Sequence, residues 1–364
     1  MKLTFFLIAF CLVFLRVYYS WVGLDKKSKG EFTVTITSNN FYEQIKHGGN
    51  IVLSDDETGI KSMAPGAYFR YKKNDEKFIA ESGLDGEINY QVNDGDKVTR
   101  LDSEGKKIQV EAINEMIAYG FDADARASKI YKKEGAAALL LEADRIKNPD
   151  ALGIYLKPLL ADDSLSQGDV VKLIQKLSSS GPEKGKLDGL EILSKNKLKS
   201  PQTVQAYFEA VSNLGSDVDK VNTLSKYINK DSISTESFDG IMDATMRLGS
   251  DMDKKRVLNL MMDKRLVIGE RFDNVLDVAS HFGSDVDKKN MYKKLIETSA
   301  ITEGQWISVI NKAGQFGSDF DKGNMLIQIA AKMPKTENIK AVYLNVAKTI
   351  HADADYTKVI KAVE

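Results

Sequence analysis

A single cysteine, Cys11, in 364 residues excludes any disulfide within the chain and any multi-cysteine metal centre. Histidine is almost as scarce: only His47, His281 and His351 are present, and no His-Glu-x-x-His occurs, so the zinc-peptidase site built on that motif is excluded. Gly-x-Ser-x-Gly, a Walker loop and a dinucleotide fingerprint are missing too. Neither sign of charge dominates, since 51 basic residues face 52 acidic ones for a net charge of −1. That balance gives no electrostatic case for binding nucleic acid.

What the chain has instead is a period. Gly-Ser-Asp-x-Asp-Lys recurs at Gly215, Gly249, Gly283 and Gly317, each copy 34 residues after the last, and an unvarying period of that length marks a stacked repeat array. One step forward, His351-Ala352-Asp353-Ala354-Asp355 keeps both acids and loses the Gly, Ser and Lys. One step back, Gly181-Pro182-Glu183-Lys184 keeps the Gly, one acid and the Lys, and a further step reaches Lys147-Asn148-Pro149-Asp150, where only Ile154-Tyr155-Leu156 stays in register. Terminal repeats drift because they cap a stack instead of joining two neighbours.

A second column runs half a repeat out of phase: Ser166, Ser200, Ser234, Thr302 and Thr336, with Ile268 the exception. A hydroxyl there is the expected N-cap of a helix, and Pro201 after Ser200 suits the first helical position. Each repeat is therefore expected to hold two helices. The first carries Val204, Tyr207, Phe208, Val211 and Leu214 on one face, a spacing that returns at Phe272, Val275, Leu276, Ala279 and Phe282 and again at Trp306, Val309, Ile310, Ala313 and Phe316. The second is expected to bury Val218, Leu224, Tyr227 and Ile228, with Val286, Tyr292, Leu295 and Ile296 in the same columns.

The paired carboxylates of the repeated box resemble the opening of an EF-hand loop. The likeness stops after two ligands, because Asp217-Val218-Asp219-Lys220-Val221-Asn222 supplies no third oxygen, no Gly at position 6 and no Glu at 12. No metal and no other cofactor is expected. Helix capping accounts for each residue: Gly215, Gly249, Gly283 and Gly317 as left-handed C′ residues ending the first helix, and Ser216, Ser250, Ser284 and Ser318 as N-caps of the second. Asp219, Asp253, Asp287 and Asp321, three residues on, would return the bond as capping boxes. The competing use of these residues is an acidic and basic ridge along one edge of the array, open to a partner or a cation.

The N-terminus holds the one long hydrophobic run. Leu3 to Leu15 is 13 apolar residues, and extension through Tyr18, Tyr19 and Trp21 to Gly23 gives 21, enough to span a bilayer at about 1.5 Å per residue. No small-x-small cleavage site follows, so residues 1–23 are expected to form a retained anchor crossing the membrane over residues 3–23, with a cleaved signal peptide or a buried helix as alternatives. Cys11 is preceded by Phe10 and followed by more apolar sequence, which does not suit a lipoprotein acceptor. Lys2 on one side and Arg16, Lys26, Lys27 and Lys29 on the other leave the orientation unset by charge.

Residues 31–104 differ in character from the array. Strands are expected at Glu31 to Thr37, Asn50 to Leu53, Ala67 to Lys72, Lys77 to Glu81, Glu87 to Val92 and Lys97 to Leu101, separated by Gly48-Gly49, Pro65-Gly66, Asp85-Gly86 and Asn93-Asp94-Gly95-Asp96 turns. Helices are expected from Lys107 to Tyr119, Asp124 to Glu134 and Ala136 to Ile146. The segment from Leu53 through Asp55-Asp56-Glu57-Thr58-Gly59 and Ala64-Pro65-Gly66 to Phe69, the strand Gly86 to Tyr90, and Asp124-Ala125-Arg126-Ala127-Ser128-Lys129-Ile130 with Gly135 resemble a region of bacterial envelope proteins. Such regions, joined to Ser-Asp-x-Asp-Lys helical repeats, occur in secreted proteins and in the extracytoplasmic part of membrane metallopeptidases of the β-lactam-sensor type. The resemblance implies an exported body and carries over no peptidase residue.

The expected fold class is α+β: an N-terminal membrane helix (1–23), a small antiparallel β domain (31–104), connecting helices (105–146), and an α-solenoid of 34-residue two-helix, HEAT-like repeats (147–364). Two kinds of function fit. In the first, a non-enzymatic protein is anchored in the inner membrane with its body in the periplasm or outside the cell, or is secreted after cleavage, and the array binds a protein or peptide partner. In the second, Asp55, Asp56 and Glu57 serve a hydrolase or carbohydrate-processing site between the sheet and the first repeats. A sensor component of a signalling system is a further alternative.

Overall fold

A computed structural model describes residues 16–21, 30–38, 40–94, 97–99, 101–230 and 232–364. Most of the expected anchor, residues 1–15 and 22–23, lies outside the described residues. Arg16–Trp21, assigned above to its second half, instead form a strand hydrogen-bonded to Phe32–Ser38. Among the described residues no helix is long and apolar enough to cross a membrane.

Among the described residues nine strands come first: β1 (Arg16–Trp21), β2 (Phe32–Ser38), β3 (Phe41–Gly48), β4 (Ile51–Leu53), β5 (Ile60–Met63), β6 (Tyr68–Lys73), β7 (Glu76–Ser82), β8 (Ile88–Asp94) and β9 (Lys97–Thr99). Seven of them form one antiparallel sheet in the order β1-β2-β3-β6-β7-β8-β9, and β4 pairs with β5 in a separate hairpin. Alternation along each strand sends Val34, Ile45, Phe69, Tyr71, Phe78 and Val92 into one face. The helix α1 (Ser103–Ala118), capped by Asp102 accepting from the N–H groups of Glu104 and Gly105, covers that face with Ile108, Ala112, Ile113 and Met116. A lone sheet of this size needs such a partner to exclude water from its apolar side.

Next come α2 (Ala123–Ala143), interrupted where Gly135 takes φ 84° and ψ −172°, and α3 (Pro149–Ala161). The break at Gly135 separates the two helices expected at Asp124 to Glu134 and Ala136 to Ile146. The chain divides into two compact units: one takes in the sheet and α1 through Lys129, with Leu141–Tyr155, and the other takes in Ile130–Leu140 with Leu156–Glu364. Helix α1 is thus part of the core of the first unit.

The second unit contains α4 (Gln167–Ser179), α5 (Glu183–Asn196), α6 (Pro201–Ser212), α7 (Asp217–Ile228), α8 (Thr235–Met246), α9 (Asp251–Asp263), α10 (Arg271–Ser280), α11 (Asp285–Thr298), α12 (Glu303–Ala313), α13 (Asp319–Ala330), α14 (Glu337–Ala347) and α15 (Asp353–Val363). Even-numbered helices pack on one another in succession from α4 to α14, and odd-numbered ones do the same from α5 to α15, so six helix pairs stack as two layers. Leu214, Leu248, Phe282, Phe316 and Ile350, one per repeat, are all buried between them. Val218 and Val286 are not: they are 56% and 51% exposed, and Met252 and Phe320 in the same column are 71% and 61% exposed. At about 100° per residue, Val218 lies roughly 90° round the helix from the centre of Val221, Leu224 and Ile228, which do face the core.

Candidate functional site

The repeated residues were the first candidates, and the structure gives most of them a partner in a neighbouring repeat. Ser166, Ser200, Ser234, Thr302 and Thr336 each accept from the backbone N–H three residues on, as helix N-caps do. Where Ile268 breaks the column, Gly269 takes φ 57° and α10 begins without a side-chain cap. Within the box, Ser250, Ser284 and Ser318 accept from the N–H groups of Asp253, Asp287 and Asp321 at 3.3 Å. Ser216 makes no such bond to Asp219. Full capping boxes form elsewhere, at Ser200 with Thr203 and at Thr302 with Gln305.

The left-handed assignment of Gly215, Gly249, Gly283 and Gly317 is corrected: among the described glycines positive φ occurs at Gly49, Gly66, Gly86, Gly120, Gly135 and Gly269. These four lie in the box for their N–H groups. Gly249, Gly283 and Gly317 donate to Asp217, Asp251 and Asp285 of the preceding repeat at 2.8, 2.8 and 2.7 Å. Gly215 donates to Glu183 at 2.7 Å, and His351, without being glycine, donates to Asp319 at 2.8 Å. The N–H groups of Ser284 and Ser318 reach the same carboxylates, Asp251 and Asp285, which is why their own repeat's acid does not close a box on them. The other carboxylate oxygen accepts from a lysine one turn on, Lys220 for Asp217 and Lys288 for Asp285. Lys220 and the Gly249 N–H together hold the Asp217 carboxyl below the usual carboxylate range. A second rung links Lys255 to Asp287 at 2.6 Å and Lys289 to Asp321 at 2.9 Å. The ridge of charge is therefore largely consumed in joining repeats.

Two of the three acids of the β4–β5 loop, Asp56 and Glu57, are also engaged. Asp55 is exposed, and Asp56 accepts from the Ser54 hydroxyl and the Thr58 N–H within its own turn. Glu57, at φ 58°, pairs with Arg126, whose guanidinium also donates to Glu142 at 2.7 Å and to the Tyr155 hydroxyl at 3.0 Å. Burial raises the Glu57 carboxyl, but the Arg126 hydrogen bond and charge outweigh it and hold the group below its ordinary value. Such a carboxylate is a poor proton donor near neutral pH. His47 lies in β3 stacked on Phe32 at 5.0 Å and edge-on to Phe121 at 5.2 Å, and burial pushes it down to about 4. His281 is exposed, its ring 2.8 Å from the Asp277 carbonyl oxygen at the end of α10, and the exposed His351 serves the array through its backbone.

The open space of the array lies along the even-numbered helices. A groove of about 380 Å³ between α6 and α8 is lined by Phe208, Glu209, Asp239, Asp243 and Arg247. A second, of about 570 Å³, is shared among α8, α10 and α12 and lined by Asp239, Met242, Asp243, Asp273, Asp277 and Lys312. Asp239 and Asp243 border both, so the two are continuous. Gly240 opens the first by close approach, since a Cβ there would lie 2.3 Å from the Phe208 ring. Its polar residues stand in two columns at 34-residue steps, Gln205-Asp239-Asp273 and Glu209-Asp243-Asp277, five of the six acidic and all six exposed. The repeat period carries that signal in the sequence, where the apolar and box columns stand out and these exposed positions do not. No protein-family profile matches the chain, and no curated protein resembles it in sequence.

Proposed function

We propose that this is a non-enzymatic, membrane-tethered protein of the bacterial envelope whose helical repeat array binds a protein or peptide. One observation carries the reading: a continuous groove crosses three successive even-numbered helices, α6, α8 and α10, and of its carboxylates Glu209, Asp239, Asp243 and Asp273 have no lysine or arginine within 4.0 Å among the described residues. Repeat arrays commonly present such extended faces to partners, because neighbouring repeats offer equivalent side chains in register. Engagement of Glu57 by Arg126 supports a binding role over hydrolysis, for which a free acid and a second carboxylate are needed. The apolar run Leu3 to Leu15, ahead of β1, is assigned as the tether, and the resemblance to extracytoplasmic regions supports a body outside the cytoplasm.

The experiment is site-specific photocrosslinking in cells producing the full chain, with the crosslinking residue placed in turn at Gln205, Asp243, Val286 and Phe320. A discrete crosslinked protein from at least one of these positions is expected. Cells in which none of the four gives an adduct would remove the partner-binding reading. A phosphatase fused after Glu364 reports on the compartment in the same strain: activity is expected, and its absence with cytoplasmic fluorescence from a parallel fusion would place the body inside.

A further inference from the structure

The groove along α6, α8 and α10 leaves most of its acids without a basic neighbour among the described residues, in contrast to several acids of the repeated box. On the odd-numbered helices Asp217, Asp285, Asp287, Asp319 and Asp321 each meet a lysine within 4.0 Å. In the groove, Asp277 meets Lys312 at 2.8 Å, whereas Glu209, Asp239, Asp243 and Asp273 meet no lysine or arginine among the described residues. Asp239 accepts only from Asn274 at 3.3 Å, and Asp273 only from Gln305 at 3.5 Å. Arg247 and Lys312 line the groove as well, the latter already on Asp277, so the carboxylates outnumber the cations. The floor between the acids is apolar, made by Phe208, Met242 and Leu276, which are nearly buried by the helices that carry them.

Resting on the partner-binding reading above, we propose that the occupant of this groove is an extended, basic segment of a partner protein, with lysine or arginine recurring about every third residue. Charge selects the class. An anionic ligand or an acidic peptide would meet repulsion from both columns, while lysine and arginine gain from each carboxylate and lay their methylene stems on the apolar floor. Geometry supplies the spacing: packed helices lie about 8–10 Å apart, and an extended chain advances about 3.3–3.6 Å per residue, so roughly three residues separate one helix from the next. On each helix two groove positions stand four residues apart, Asp239 with Asp243 and Asp273 with Asp277, which places both carboxylates of a pair on one side and within reach of a single cation.

Fluorescence anisotropy on the purified full chain tests this with a labelled 12-residue peptide of four Lys-Leu-Gly units and its Glu-Leu-Gly counterpart. The lysine peptide is expected to bind and the glutamate peptide to give no saturable signal. Affinity for the lysine peptide should fall roughly tenfold between about 50 and about 300 mM salt, and roughly tenfold in the D243N/D277N variant. A distal control of equal charge change, E337Q/D353N, should bind as the parent does. Variants with altered melting would be replaced by Asp239→Asn, at a carboxylate that borders both parts of the groove. Equal loss in groove and distal variants, or a lysine peptide indifferent to the groove charges, overturns the assignment; if the cellular partner then still crosslinks to the array, only the basic-segment chemistry is lost. No binding by the lysine peptide, with no crosslink at any array position, overturns both.

Discussion

His47 sits against Phe32 and Phe121, and burial alone brings it from 6.5 to about 4. Between those values the unfolded chain binds a proton that the folded chain refuses, so stability contributed by the neutral ring is complete above about pH 6.5 and is lost as pH falls toward 4. The full loss is about 3 kcal/mol. Thermal melts from pH 4 to 7 should show a shallower slope for His47→Phe, which keeps the stack and removes the titration; identical slopes would mean the ring protonates freely in place. A second residue-scale prediction concerns Asp251. Alanine there leaves the Gly283 N–H to solvent and should cost about 1 kcal/mol, with faster amide exchange at Gly283 in the next repeat. Gly283→Ala should change stability by no more than about 0.5 kcal/mol, because its Cβ would lie at ordinary contact, 3.6 Å from Asp251. At this scale the sequence revealed caps whose two ends are three residues apart, such as Ser166 and Thr336. It concealed the Asp251–Gly283 bond, whose ends are 32 residues apart and which exists only once two repeats are stacked.

Among elements, the close approach of α6 and α8 rests on Gly240. A methyl group at that position would fall 2.3 Å from a Phe208 ring that is 2% exposed, and overpacking of this kind costs about 1–3 kcal/mol. Gly240→Ala should therefore lower the melting temperature clearly, while Gly215→Ala, whose Cβ meets nothing closer than 3.8 Å, should not. Equal effects would show that the helices shift apart without cost. Six strands were visible in the sequence because their apolar alternation is intact, as in Phe32, Val34 and Ile36. Strand β3 was missed because Glu43, 3% exposed, occupies an inward position between Phe41 and Ile45 and breaks that alternation. Burial raises the Glu43 carboxyl, and nearby Glu115 raises it further. Strand β5 was missed because Lys61 and Ser62 leave only its ends apolar. The anchor reading met a different obstacle: Arg16–Trp21 is apolar enough to extend a membrane helix, yet its tyrosines and tryptophan are equally good strand formers, and it pairs with β2.

For the molecule, repetition decides what can be read. A 34-residue period announces two helices per repeat and the order of the layers, since each column needs the same neighbour in every copy. It says much less about the groove acids, because a column of exposed carboxylates looks like any solvated helix face until its missing counter-ions are seen in three dimensions. The backbone-to-carboxylate rung between repeats has a further consequence, for copy number. Each 34-residue unit carries one acid for the unit after it and one N–H for the unit before it, and the N–H belongs to the backbone, so any copy fits any other. His351 closes a rung as Gly317 does. Removal of residues 249–282 would bring Gly283 to the place of Gly249 and its N–H to Asp217. Circular dichroism of that shortened chain should show a cooperative melt at a lower temperature, and loss of folded signal would mean that the copies are not exchangeable. A gene encoding such an array can lengthen or shorten by in-frame duplication or loss without inventing an interface, so the length of the binding groove is open to change by recombination alone.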